Sequence, residues 1–230
     1  MSEWRQMRHW TKLGEAPVPG TAGALSLHRD KDDFFISVTG GGELMSTRRH
    51  NSEDALGRIP CQRLRRAENA RVLIGGLGMG FTLAAALAEV GPAAEVTVAE
   101  LIPEVVDWNR GPLGESSGRP LNDPRTRVHV GDVAKMFGRR LGYFDVIALD
   151  VDNGPDGLTQ SSNDWLYTMD GIIAAQQALT AQGILAYWSA GQDRAFHDRL
   201  RQCGFLVEEV IVRAHGKKGA RHFIWLAKLR

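Results

Sequence analysis

The sequence predicts an α/β protein whose body is a mainly parallel sheet with helices on both faces, preceded by a small β meander. Three observations carry this. From Ala70 onward, short apolar runs alternate with helical stretches, the pattern of parallel strands buried on both sides. The last two apolar runs, Leu206 to Arg213 and His222 to Ala227, are joined only by Ala214 to Arg221. That connection is too short for a crossover helix, so the sheet ends in an antiparallel hairpin. Ahead of Ser52, three strand-like runs are separated by residues that favour turns.

Taken in order, residues up to Gly23 show two prolines and no clear period and read as a loosely ordered arm, packed down by Trp4 and Trp10. Ala24–His28, Phe34–Val38 and Glu43–Ser46 are the meander strands. A helix then begins near Ser52, with Ser52 or Asn51 as its N-cap. The main body follows with strands at Arg71–Ile74, Glu95–Ala99, Arg127–Val130, Phe144–Leu149 and Gly183–Trp188. Between them lie helices at Phe81–Glu89, Pro103–Asn109, Trp165–Thr180 and, after the last, Asp193–Cys203. This divides the chain into residues 1–60, holding the arm, the meander and a linking helix, and residues 61–230, the α/β domain.

Composition narrows the function. The 230 residues are 43% hydrophobic and 24% charged, ordinary for a soluble globular chain that builds its own core. A formal net charge of +1 gives no bulk attraction to nucleic acid or an anionic membrane. The two cysteines, Cys61 and Cys203, form neither a disulfide framework nor a metal-ligand set, so no metal is expected and a reducing cytoplasm fits. The longest apolar run, near Phe81 to Val90, is too short for a membrane span, and Met1 to Trp10 has no apolar signal core.

The sharpest motif is Gly75-Gly76-Leu77-Gly78-Met79-Gly80, between a strand and a helix. Glycines there allow a tight turn and a close approach of a nucleotide to the main chain. A dinucleotide fingerprint would need glycine at position 81, which is Phe81. The glycines instead stand at Gly76, Gly78 and Gly80, the spacing of S-adenosylmethionine-binding proteins, and the predicted architecture is the Rossmann-like class I methyltransferase fold. The plain alternative is a glycine turn. Glu100, at the end of the second strand, is placed to accept from both ribose hydroxyls, or is a solvated strand-end acid. Asp132 ends the third strand. It accepts from an adenine amino group or caps the helix starting near Val133.

The fourth strand runs into Asp150-Val151-Asp152-Asn153-Gly154-Pro155. An attacking amine must lose a proton before its lone pair can react, and a carboxylate within reach can orient it and take that proton. The alternative is an Asx turn closed by Asn153-Gly154-Pro155. Trp165 and Tyr167 are candidates for the wall of an acceptor pocket, or for the core. His50 and Glu53 are further acceptor-side candidates, or helix-start surface residues.

From Val72 onward the chain resembles the spermidine synthase family of aminopropyltransferases, and within it an uncharacterised bacterial spermidine synthase-like branch. Val96-Thr97-Val98-Ala99-Glu100-Leu101-Ile102-Pro103-Glu104-Val105-Val106 is similar to the family's V-E-I-D-P-x-V-V segment, which puts Glu100 on the ribose-binding acid. Leu166-Tyr167-Thr168 is similar to its L-F-T, and the meander to a shortened N-terminal β domain. Two departures fall on the chemistry. Where the family has G-G-G-D-G-G, Gly78 stands in place of the aspartate that holds the donor's amino end. Where it has D-S-S-D-P, Asp150 keeps the first acid and Asn153 stands on the catalytic base. Asp152 is then the neighbouring carboxylate for that task, and true spermidine synthesis does not follow from the motif. The resemblance implies transfer of an aminopropyl or related group from S-adenosylmethionine, or its decarboxylated form, to a small amine, by a homodimer. The alternatives are a small-molecule methyltransferase and a nucleotide-binding protein without catalysis.

Overall fold

The structure, a computed structural model, describes residues 10–138, 141–151, 164–215 and 218–229. Four strands, β1 (Thr11–Pro17), β2 (Ala24–Asp30), β3 (Asp33–Val38) and β4 (Glu43–Ser46), form an antiparallel meander in sequence order. Within the segment expected to be a loose arm, Thr11–Pro17 is therefore strand. β1 pairs with β2 from Thr11↔Arg29 to Pro17↔Ala24. Its alternation is illegible because it is an edge strand with almost every side chain at least partly exposed, so no buried face patterns it. Trp10 does pack the segment down, stacking on Phe35 at 4.2 Å. Trp4 lies outside the described residues.

Helix α1 (Asn51–Gln62) links the meander to the main sheet. Its N-cap position is His50, with no side-chain cap bond, rather than Ser52 or Asn51. The Ser52 hydroxyl is engaged elsewhere, with the Glu53 carboxylate and the His222 ring. α1 lies flat on α2 (Phe81–Glu89) at Gly57, where any Cβ would overlap the Thr82 carbonyl.

The main sheet contains β5 (Arg71–Gly75), β6 (Glu95–Glu100), β7 (Thr126–Val130), β8 (Phe144–Leu149), β9 (Leu179–Ser189), β10 (Phe205–His215) and β11 (Lys218–Leu229). Their order is β10-β11-β9-β8-β5-β6-β7, parallel from β9 to β7 and antiparallel where β11 joins β9 and β10. The remaining helices are α3 (Pro103–Arg110), α4 (Ala134–Phe137), α5 (Met169–Ala178) and α6 (Arg194–Gln202). The helix expected from Trp165 to Thr180 is shorter. Asp164–Tyr167 is a 3-10 turn, and Thr168, extended and accepting from the Gly171 N–H at 3.2 Å, starts α5 afresh.

The chain departs from β5 in two directions, through β6 to β7 on one side and to β8 on the other. That makes the carboxyl ends of β5, β6 and β8 the switch point where ligands bind in open α/β sheets. One continuous core joins the meander residues Ala16, Leu25, Leu27 and Ile36 to Val72, Ile74 and Val98 of the main sheet. A second core fills the other face around Tyr187, Phe196 and Trp225. Cys61 and Cys203 are both free and buried. Among the described residues no helix is long and apolar enough to cross a membrane, and no three His, Cys, Asp or Glu side chains form a metal cluster.

Candidate active site

The glycine loop leaves β5 with Gly76 (φ 91°), Gly78 (φ 51°) and Gly80 (φ 85°) in the left-handed region, open to glycine at little cost. Gly76 is constrained twice. A Cβ there would overlap the Asp150 carbonyl, while the Gly76 N–H donates to Ala99 and the Asp150 N–H to Gly75, both at 2.8 Å. Gly75 and Gly76 thus let the ends of β5, β6 and β8 close together. At Gly78 a Cβ would meet only the Met45 side chain, at 3.1 Å.

The loop and the strand ends form the floor of a cleft roofed by Val18, Leu25, Ile36 and Leu44 of the meander. Glu100 and Asp132 lie at one end and Asp150 at the other. Glu100 is 7% exposed, and its two oxygens accept from the Leu77 N–H at 2.8 Å and the Ile102 N–H at 2.9 Å. Burial pushes its carboxyl above the usual range, and these backbone donors work against the rise. Asp132 lines the cleft and accepts from the Ala134 N–H at 2.8 Å, while the N-cap position of α4 is Val133 rather than Asp132.

Asp150 stands where this cleft meets a second one. The Thr82 hydroxyl donates to it at 2.9 Å. Part of the residue stays open to the clefts, but its carboxyl is packed about by protein, and this desolvation, followed by repulsion from Glu53, raises it to about 7. Glu53 is likewise raised, chiefly by burial. The second cleft is acidic and aromatic. Glu43, Glu53 and Asp150 line it, with Trp188 and His222 as a wall in edge-to-face contact at 4.9 Å, and Arg49 paired to Glu43.

The structure thus brings together Gly76, Gly78, Glu100, Asp132, Glu53 and Asp150, and sets Gly75 and Gly80 as the loop's supports. It does not bring His50, Trp165 or Tyr167 to the clefts. His50 stacks on Phe81 at 3.8 Å and bonds Asp54 at 2.8 Å. Trp165 stacks on Phe137, and Tyr167 is buried against Tyr187 and Phe196, the core placement that an aromatic at a helix start commonly takes. Asp152 and Asn153 lie outside the described residues. Sequence reasoning missed Thr82, Ser52 and Trp188 as residues of the site, and read His222 only as the end of a basic hairpin loop, His215 to His222, for an anionic substrate or for solvent. Of these only Thr82 left a signal, a lone hydroxyl in the otherwise apolar start of α2.

A glycine loop after the first strand, an acid at the end of the second and an acid at the switch point define a Rossmann-like methyltransferase fold with a small antiparallel sheet over its cleft. Solved structures similar to it include spermidine synthases. A spermidine synthase in complex with the transition state analogue AdoDATO aligns over 94% of this chain and 72% of its own, with TM-score 0.71 and 16% identity. The Thermotoga maritima enzyme gives the same coverage with TM-score 0.72 and 16% identity. A probable spermidine synthase of Corynebacterium glutamicum aligns over 95% and 79%, with TM-score 0.67 and 18% identity. In sequence, 91 residues are 35% identical to a polyamine aminopropyltransferase of Nitrosomonas europaea, covering 40% of this chain and about a quarter, 26%, of that protein. No protein-family model matches the chain. The chain is spermidine synthase-like in its fold and along that stretch of sequence.

Proposed function

We propose that this protein is a transferase that moves an aminopropyl or related group from a decarboxylated S-adenosylmethionine donor to a small amine. The observation that carries the reading is Asp150, a carboxylate raised to about 7 at the junction of a nucleotide-type cleft and a second, acidic cleft. A base poised near neutral pH suits removal of a proton from an ammonium group.

In this reading Glu100 holds the ribose hydroxyls and Asp132 the adenine edge, with the base between the meander roof and the floor of the cleft. The sulfonium lies toward Asp150. An ammonium acceptor enters beside Glu43 and Glu53, loses its proton to Asp150, and its lone pair attacks the carbon bonded to sulfur. The C–N bond forms as the C–S bond breaks, and methylthioadenosine leaves with the electron pair of the broken bond. Asp150 therefore takes the proton-acceptor role that the motif alone gave to Asp152. The donor cleft supports the decarboxylated form over the intact one: no Lys, Arg or His is among its described lining residues to pair with a donor carboxylate.

Two measurements test this. Decarboxylated donor and methylthioadenosine should raise the melting temperature more than intact S-adenosylmethionine, since a ligand that binds only the folded state stabilises it by about 2.7 kcal/mol at a hundred times its Kd. Mass spectrometry of an amine panel should then find an acceptor carrying the added group. No product with either donor across that panel rejects the transferase reading.

A further inference from the structure

Each turnover of the reaction proposed above leaves a proton on Asp150, which is enclosed by protein and must lose it before the next. Three features lie between Asp150 and the wall of the acceptor cleft. First, Met45, Ser46, Glu53, Thr82 and Asp150 surround a void of about 10 Å³, room for about one water molecule. Second, the Ser46 hydroxyl is buried beside it with no hydrogen-bond partner, which is costly unless a small polar molecule satisfies it. Third, Glu53 continues into a bonded series: the buried Ser52 hydroxyl donates to Glu53 Oε2 at 2.6 Å, and Ser52 Oγ meets His222 Nδ1 at 2.7 Å. His222 is half-buried and lines the acceptor cleft.

We propose that a water held by Ser46, Glu53 and Asp150, followed by Ser52 and His222, forms a proton exit from the reacting carboxylate to the acceptor cleft. The inference rests on the transferase reading for its purpose, but its wiring is a property of the protein alone. The proton balance closes. Asp150 gives its proton to the water, which passes one to Glu53. Once Glu53 is protonated, the Ser52 hydroxyl turns from it to His222; Glu53 then gives its proton to Ser52 Oγ as the Ser52 hydroxyl proton moves to His222 Nδ1. His222, now an imidazolium, releases the proton of its other ring nitrogen into the cleft, and Asp150 is again a carboxylate. Exchange with cleft water then shifts the remaining ring proton from Nδ1 to Nε2, so that Nδ1 can accept again. Burial and Arg49 both lower the basicity of His222, so the imidazolium is short-lived, as an exit group requires. The other titratable groups facing Glu53 are His50 and Asp54 on its own helix. Ser52 and His222 act through Glu53 and touch no reacting atom; they are positioning residues for the proton.

The experiment has two arms. In the protein alone, NMR of labelled histidine should show the His222 ring sensing the titration of the Glu53–Asp150 pair. Ser52→Ala should abolish that inflection and Ser52→Thr, which keeps the hydroxyl, should restore it. In turnover, Ser52→Ala should lower kcat about tenfold or more while the single-turnover transfer rate holds, and His222→Ala, which also alters the cleft wall, should lower kcat at least as far and be recovered in part by added imidazole. A His222 titration blind to the pair in folded wild type overturns the exit. So do variants turning over within twofold of wild type. Coupled titration without transfer to any amine instead rejects the transferase reading and leaves the wiring standing.

Discussion

Glu100 and Asp150 are acids at the carboxyl ends of β6 and β8, the two parallel strands that flank β5, both largely enclosed, yet the protein treats them differently. Glu100 lines the first cleft and accepts from two backbone N–H donors, so its charge is held by dipoles that cannot move away. Asp150 faces a single hydroxyl and a second carboxylate, so its charge is opposed. Burial raises both, but only for Asp150 does a neighbouring carboxylate add to the rise. In the proposed function the contrast separates a group that binds from a group that exchanges a proton: backbone donors favour the ionised carboxylate, and a like charge favours its protonated form.

The largest expected break in that contrast is Asp150→Asn. If Asp150 is the proton acceptor, turnover falls about a hundred- to ten-thousandfold while donor affinity changes little. Steady-state rates beside calorimetric donor titrations check this. Asp152→Asn sharpens the assignment, because the variant that loses the larger factor identifies the acceptor. Glu100→Ala should act in the opposite column. It removes the ribose partner and orphans the Leu77 and Ile102 N–H groups, so donor affinity should drop roughly ten- to a hundredfold, about 1.5–3 kcal/mol. An affinity change under threefold removes Glu100 from the binding role. Glu100→Gln is not a mild version, since one of its atoms becomes an N–H₂ set against backbone donors.

A smaller effect separates the two inner glycines. Gly76→Ala must take a left-handed φ and push a Cβ into the Asp150 carbonyl, which adds a clash to a strain of about 1–3 kcal/mol. Gly78→Ala has the same kind of strain but meets only the movable end of Met45. Thermal melts should therefore rank Gly76→Ala as the less stable of the two. The reverse order would place the tight contact between loop and reactive strand elsewhere.

The sheet and the binding half of the site were legible because they are written locally. Continuous apolar runs gave the strands, the glycine spacing gave the loop, and Glu100 and Asp150 are each the polar residue that ends a run. The reacting half is written in contacts that no period encodes. Glu53 becomes a partner of Asp150 only because Gly57 lets α1 lie against α2, which sets it beside Thr82. Ser52 meets His222 because β11 inserts between β9 and β10, a pairing decided by the whole sheet. β1 was hidden for the contrary reason: an edge strand exposed along most of its length carries no alternation. Tyr167 stayed open between pocket wall and core until the structure put it in the core, because an aromatic beside a predicted site has the same sequence signature in both places.

The subtlest test acts on the contrast itself. Glu53→Gln keeps the size of the side chain and an oxygen to accept from Ser52, but removes the larger of the two charges, Glu53 and Glu100, that oppose ionisation of Asp150. Asp150 should then titrate lower, and the acid limb of the kcat/KM profile, which reports the free enzyme, should move to lower pH. Because glutamine cannot carry the proton onward to Ser52, steady-state kcat should fall about tenfold or more, as in Ser52→Ala, while the single-turnover transfer rate at the optimum should change by less than about tenfold, under about 1.4 kcal/mol of barrier. Stability should respond with a matching sign. Between the ordinary carboxylate range near pH ~4 and about 7, the folded protein holds a proton on Asp150 that the unfolded chain has released. This group's contribution is therefore fully present at low pH and is lost as pH rises through that window. Glu53, also raised, adds in the same direction. Replacing it should flatten the fall, so the urea midpoint at pH 7.5 should come closer to the midpoint at pH 4.5 than it does in wild type. An acid limb that stays fixed or moves upward would mean that burial alone tunes Asp150, and the difference between the two acids would reduce to Glu100's backbone donors.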